Sequence, residues 1–255
     1  MKTNWAREKI RAGQSSMGSF LGLGSPNVAE LMAHAGFDWL VIETEHNGLD
    51  SAEIQHMLMA MSGSETVPLV RIPSSNPVFI QRALDMGAMG IVVPLVRTAD
   101  EARAIVRAMR YPPYGSRSFG PLRAEKFSFD RSDYFERAND NMLVMLILET
   151  KEAAENLAEI AAVPGVDVLY FGFMDLCLTH GLNPLHMPFP EIEAIIDRAL
   201  AIGKKQGVAI GSGASTPAQV QQLQARGYTV IGFGPDYVML ADAARSGLAA
   251  FKRSG

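Results

Sequence analysis

Eight short apolar runs recur along the chain, each followed by a segment with helical periodicity. The runs fall at residues 17–23, 38–43, 67–72, 89–94, 142–149, 168–171, 208–211 and 228–233. The spacing predicts helices over 27–35, 51–61, 77–86, 151–161, 191–205, 217–226 and 236–251, and one from Thr98 or Asp100 to 109. A short helix over 5–12 precedes the first run and stops at Gly13. Ser25, Asn76 and Thr216 each stand before a proline, pairing a cap with a first-turn residue whose missing N–H costs nothing. Eight strand–helix alternations with short links predict an α/β fold, a closed parallel (β/α)8 barrel rather than an open doubly wound sheet. The 255 residues match the roughly 250 that such a barrel uses. No repeat, linker or low-complexity stretch divides the chain, so 1–255 reads as one domain.

Composition narrows the partners. A net charge of -4 leaves no basic face for nucleic acid. A single cysteine, Cys177, rules out an internal disulfide and points to a reducing, cytoplasmic setting. Residues 1–16 are polar, unlike a signal peptide, and no apolar run approaches the ~20 residues a membrane helix needs. Residues 111–140 break the alternation, and a long irregular segment is expected to carry function or an interface. Its aromatics, Phe127, Phe129, Tyr134 and Phe135, argue against disorder.

The run at 142–149 is apolar for seven residues and then ends on Glu149. In a parallel barrel the carboxyl ends of the strands carry the chemistry. Glu45 and His46 follow the second run, Arg71 closes the third, and Asp175 follows the sixth, so residues distant in sequence converge on one rim. Glu149 and Asp175 are candidate ligands of one divalent cation, because two carboxylates with open positions suit Mg²⁺ or Mn²⁺. Each acid has an ordinary alternative, a helix cap or first-turn charge. Arg71 can hold a carboxylate or enolate oxygen; its alternative is a salt bridge to Glu43 or Glu45. An imidazole suits proton transfer near neutral pH, so His46 is a candidate base, with Asp85 as a candidate orienting acid. For these two the alternatives are a structural hydrogen-bond donor and a solvated helix-end charge. Gly211-Ser212-Gly213 and Gly232-Phe233-Gly234 are expected as turns, where a phosphate cradle competes with tight turns of positive φ.

The residues on this rim carry a resemblance. Ala35-Gly36-Phe37-Asp38-Trp39 leading to Glu45-His46, Val70-Arg71, Leu84-Asp85-Met86-Gly87-Ala88 and Tyr111-Pro112-Pro113-Tyr114-Gly115-Ser116-Arg117 are similar to motifs of the HpcH/HpaI aldolases, metal-dependent class II pyruvate aldolases. Glu149, Gly172 with Asp175-Leu176, and Gly232-Phe233-Gly234-Pro235-Asp236 complete the likeness. The resemblance implies a barrel of the phosphoenolpyruvate/pyruvate type with a swapped C-terminal helix, and a hexamer built as a trimer of dimers with 111–135 at subunit contacts. It implies Glu149 and Asp175 as metal ligands for Mg²⁺ or Mn²⁺, with Co²⁺ as a further option. Arg71 would steady the enolate, His46 would be the base, Asp85 its acidic partner, and Gly172, Phe173 and Met174 the substrate-binding backbone. The implied reaction cleaves a 4-hydroxy-2-oxo acid to pyruvate or hydroxypyruvate and an aldehyde. The chain departs from the family pattern at Ile147 (glutamine in the pattern), Phe173-Met174 (Pro-Ala), Glu43 (aspartate) and Asn47 (a small residue). Other classes stay open: a lyase or transferase on a phosphorylated or coenzyme A-linked acid, and a non-catalytic 2-oxo acid-binding barrel.

Overall fold

The computed structural model describes residues 1–251. Eight strands, β1 (Ser16–Leu21), β2 (Trp39–Glu43), β3 (Val67–Arg71), β4 (Gly90–Val93), β5 (Leu143–Leu148), β6 (Val168–Phe171), β7 (Ala209–Ala214) and β8 (Val230–Phe233), pair in parallel in chain order. The register Ser16↔Val230 closes β8 onto β1 and completes the expected barrel. The helices are α1 (Trp5–Arg11), α2 (Pro26–His34), α3 (Ser51–Ala60), α4 (Pro77–Asp85), α5 (Ala99–Met109), α6 (Arg131–Asn141), α7 (Lys151–Glu155), α8 (Leu157–Ala161), α9 (Phe173–Thr179), α10 (Pro190–Gln206), α11 (Pro217–Arg226) and α12 (Asp236–Ala250). None of the described helices is long and apolar enough to cross a membrane.

Residues two apart on a strand share a face, and this alternation builds the barrel interior. Trp39 and Val41 on β2, Val67 and Leu69 on β3, Leu143, Met145 and Ile147 on β5, and Val168 and Tyr170 on β6 form one buried interior cluster. The outward residues Leu40, Ile42, Val70, Ile91, Leu146 and Leu169 pack instead with the helices in a second layer. Removing each such side chain from water stabilises the fold by about 1.5–3 kcal/mol. Continuing each interior column by one step brings Glu43, Arg71, Glu149 and Gly172 to its carboxyl end. The candidate site residues therefore sit on top of the apolar core, held by the strands that form it.

The other end of the barrel is closed by α1, whose Ala6 and Ile10 join the interior cluster. Arg7 and Arg11, one turn apart, donate from Nε to the buried Asp167 at 3.0 and 2.7 Å, and Val144 donates its N–H to the same carboxylate at 2.9 Å. That arrangement compensates the burial of the acid with three donors.

Helix starts follow the expected chemistry. Asp50 with Glu53 and Thr98 with Glu101 form capping boxes, so Thr98, not Asp100, opens α5. Three expectations need correction. Residues 131–141 are helical, so the irregular excursion ends at Asp130. The helix expected over 151–161 breaks at Asn156, whose side chain turns away to donate to the Arg97 carbonyl at 3.0 Å. Helix α9 was anticipated only through the first-turn alternative for Asp175, with no bounds, because it lacks a side-chain cap.

Candidate active site

The rim residues line a cavity of about 460 Å³ at the carboxyl end of the barrel. Glu43, His46, Arg71, Glu149, Gly172, Phe173, Met174 and Asp175 all contribute to its wall. At its floor Glu43 and Arg71 are directly paired in the β2–β3 register. Arg71 Nη1 donates to Glu43 Oε2 at 3.1 Å, and Nη2 meets Glu45 Oε2 and lies 3.8 Å from Glu149 Oε2. The salt-bridge alternative for Arg71 is thus present, and it leaves Arg71 Nε buried without a partner among the described residues, a donor free for an incoming oxygen.

Glu43 also organises the turn that carries the histidine. Its Oε1 accepts the N–H of Glu45 at 2.7 Å and of His46 at 3.2 Å. His46 Nε2 stands 3.4 Å from Glu45 Oε2 with its side chain 64% exposed.

Glu149 is buried, and its Oε1 accepts the N–H of Leu95 at 2.6 Å. Leu95 adopts φ 55°, the left-handed region that a non-glycine residue enters at a cost, in the loop after β4. Burial pushes the Glu149 carboxyl above the ordinary carboxylate range; the Leu95 N–H and Arg71 oppose this, while the charges of Glu45 and Asp175 add to it. Glu45 is raised too, first by burial, with Arg71 and His46 opposing and Glu43 and Asp175 adding. Asp175 occupies the first turn of α9, as its helix alternative expected, and faces the same cavity.

Three carboxylates, Glu43, Glu45 and Glu149, therefore meet one guanidinium, and Asp175 shares the cavity wall. This set of oxygen donors fits a divalent cation. Among the described residues no cluster of three or more His, Cys, Asp or Glu side chains is arranged to hold a metal. A closed zinc-type site is not what these residues form. A hard ion that keeps several positions for water or substrate fits Glu149 and Asp175.

Asp85 does not meet His46 within the chain. It ends α4, which runs back about 13 Å from the rim at 1.5 Å per residue. By Met89 the chain is level with the start of β3, where Met89 donates its N–H to the Pro68 carbonyl at 2.8 Å. Asp85 Oδ1 instead accepts from Arg117 Nη2 at 2.7 Å. Arg117 is buried against the Tyr111 ring, 4.6 Å from its centroid, and also donates to Tyr134 Oη at 3.0 Å.

The glycine triplet 211–213 is likewise not a turn, since it lies within β7. A Cβ on Gly211 would approach the Tyr170 ring to 2.5 Å, and one on Gly232 would approach Tyr170 Oη to 2.4 Å. These glycines make room for a tyrosine inside the barrel, and neither a phosphate cradle nor a positive φ at these two explains them. Asn47 and Pro235, which the resemblance touched without giving them a role, also line the cavity, as do Phe20, Tyr170 and Tyr237, which had no sequence signal. The buried Asp236 holds one edge, accepting the N–H groups of Gly22 and Leu23 at 2.8 and 3.2 Å.

Residues 16–243 match the sequence profile described as HpcH/HpaI aldolase/citrate lyase. The chain belongs to this family. This HpcH/HpaI member is 37% identical over 246 residues to 2-dehydro-3,6-dideoxy-6-sulfogluconate aldolase of Pseudomonas putida, covering 95% of each chain. It is 38% identical over 251 residues to 4-hydroxy-2-oxo-heptane-1,7-dioate aldolase of Shigella sonnei, covering 97% of this chain and 95% of that one. Among solved structures, an HpcH/HpaI aldolase/citrate lyase family protein from Burkholderia cenocepacia superposes with a TM-score of 0.90 at 36% identity, covering 97% of this chain and 98% of the other. The HpcH/HpaI assignment spans all eight strands and the rim they support.

Proposed function

We propose that this family member, a carbon–carbon lyase of the aldolase kind, reversibly cleaves a 4-hydroxy-2-oxo acid to pyruvate or hydroxypyruvate and an aldehyde, using a divalent cation held by Glu149 and Asp175. The observation that carries this reading is the convergence of Glu149, Asp175, Arg71 and His46 on one cavity from four different strand ends. When bound, the cation supplies Lewis-acid stabilisation of negative charge at the 2-oxo oxygen. Mg²⁺, Mn²⁺ and Co²⁺ all suit the oxygen donors.

Arg71 is held by Glu43 and Glu45, so its free Nε–H meets that oxygen without reorganisation. The backbone around 172–174 receives the substrate carboxylate through the N–H groups of Phe173 and Met174, the Gly172 N–H being donated to the Leu148 carbonyl at 3.1 Å. His46 takes the 4-hydroxyl proton as the C3–C4 bond breaks and returns a proton to C3 of the product. Asp85 serves as its acidic partner only from a second copy of the chain, since its own copy holds it at the far end. Exposed apolar side chains of the excursion, Tyr114, Leu122, Phe127 and Phe129, provide a surface for that association. The hexameric trimer of dimers, the one-domain organisation and a cytoplasmic location with Cys177 reduced belong to the same reading.

The test is cleavage of 4-hydroxy-2-oxo acids after chelation and metal add-back. Pyruvate release that disappears on chelation and returns with Mn²⁺ or Mg²⁺ supports the reading. Equal release in the stripped protein overturns it.

A further inference from the structure

The substrates named for the two relatives carry a second anion at the end remote from the 2-oxo acid: a 7-carboxylate in one, a 6-sulfo group in the other. Holding such a group in a cavity requires a cation or a set of free donors. Among the described residues of the chain, the basic side chains lining this cavity are Arg71 and His46, both already placed in the reaction. The two terminal nitrogens of Arg71 are engaged by Glu43, Glu45 and Glu149. Glu43, Glu45 and Glu149 meet the one guanidinium and Asp175 shares the cavity wall, so the acids outnumber the cationic side chains and leave Arg71 no terminal nitrogen for a second anion. A second carboxylate on the aldehyde would be desolvated among acids.

The remaining wall is apolar. Phe20, Ile147, Phe173, Met174, Pro235 and Tyr237 line it. Phe173 is held by stacking on Phe171, with ring centroids 5.4 Å apart and planes within 6°. Tyr237 lies over Gly22, where a Cβ would come within 3.0 Å of the ring. Met174 and Tyr237 are more than half exposed, leaving apolar surface at the mouth for a ligand to cover.

We infer that the acceptor aldehyde of this enzyme is uncharged and apolar at its remote end, of the branched aliphatic or aryl-alkyl class. The inference rests on the aldolase reading above and specifies its second substrate. Each methylene placed against this wall raises the apparent second-order rate about fourfold. Phe173 and Met174 set the preference, and Arg97, exposed in the loop after β4, lies outside the cavity lining.

Aldol addition of pyruvate is measured with the Mn²⁺-loaded full chain and two acceptors of equal size, 4-oxobutanoate and 4-methylpentanal, in which an isopropyl group replaces the carboxylate. The expected result is a kcat/KM for 4-methylpentanal at least tenfold above that for 4-oxobutanoate, with 3-phenylpropanal also preferred. Met174→Arg should shift the ratio toward 4-oxobutanoate by a further tenfold or more. An equal or greater rate with 4-oxobutanoate in the wild-type chain overturns the inference; loss of that rate in Arg97→Ala would then locate the anion at Arg97. Exchange of pyruvate C3 protons, which needs no aldehyde, separates the two levels. Exchange with a preference for the charged acceptor sinks this inference alone, whereas no exchange and no addition with any acceptor sinks the aldolase reading and this inference with it.

Discussion

Glu43 and Arg71 face each other across β2 and β3, and one carboxylate ties the arginine at 3.1 Å to the backbone of the Glu45-His46 turn. The longer side chain at 43, where the family pattern has aspartate, thus couples Arg71, the proposed enolate-stabilising group, to the turn of His46, the proposed base. Removing it releases both.

Glu43→Ala should therefore lower kcat by about 10²-fold, the scale of one lost electrostatic donor. Glu43→Gln keeps an oxygen for the two N–H groups and should lose less. Steady-state kinetics of the two variants checks this; equal, small losses in both would show that Arg71 and His46 hold their places unaided.

The short approach of β6 to β5 gives a second test. A Cβ on Gly172 would lie 2.8 Å from Glu149 Oε2 and 2.9 Å from Glu149 Cβ. Gly172→Ala should push the carboxylate aside and weaken the divalent ion by about tenfold or more, while thermal unfolding stays cooperative. Unchanged Mn²⁺ affinity would mean that Glu149 has room the geometry denies.

Legibility in the sequence followed the physics of each element. Glu149 and Arg71 were readable because they end apolar runs, and period-two alternation then carries them inward. The closed barrel was readable for the same reason, from eight repeats of one pattern. Asp85 does not reach His46 within its own chain, and the signal for that existed: a helix following a strand returns the chain to the opposite end. Tyr170 gave no warning, since its room comes from glycines on β7 and β8 that meet it only in three dimensions. Leu95 contributes a backbone N–H at φ 55°, which no side-chain pattern encodes.

Asp85 leads to a complementation experiment. His46→Ala and Asp85→Asn should each lower activity by about 10²-fold or more, the usual contribution of general acid–base catalysis. Unfolded together and refolded as a mixture, they should regain a share of wild-type activity, because some sites then receive His46 from one copy and Asp85 from another. Asn is chosen so that Arg117 keeps an oxygen partner, since a buried unpaired guanidinium would cost about 3–5 kcal/mol. A mixture no more active than its parts would place both roles in one chain or remove Asp85 from the reaction.

Alkaline pH tests the excursion and the barrel together. Burial pushes the phenols of Tyr111 and Tyr134 upward, opposed by Arg117, and burial does the same to Tyr170 and Tyr228. Their folded-state values exceed the ordinary 10.0, so above that pH the unfolded chain has lost more protons than the folded one. The contribution of these four phenols is then constant well below pH 10 and is lost as pH climbs toward the folded-state values. Phenolate absorbance should accordingly rise together with the loss of ellipticity in a pH titration. Smooth ionisation of all tyrosines in a still-folded chain would contradict their burial.

The shared ion is tested most directly by Mn²⁺ binding, followed by electron paramagnetic resonance on the wild-type chain, Glu149→Gln and Asp175→Asn. The expected result is one ion per wild-type chain and at least a ~10²-fold weaker affinity in each variant, the loss of a charged ligand being worth several kcal/mol. Wild-type stoichiometry and affinity in either variant would contradict a cation held between these two acids.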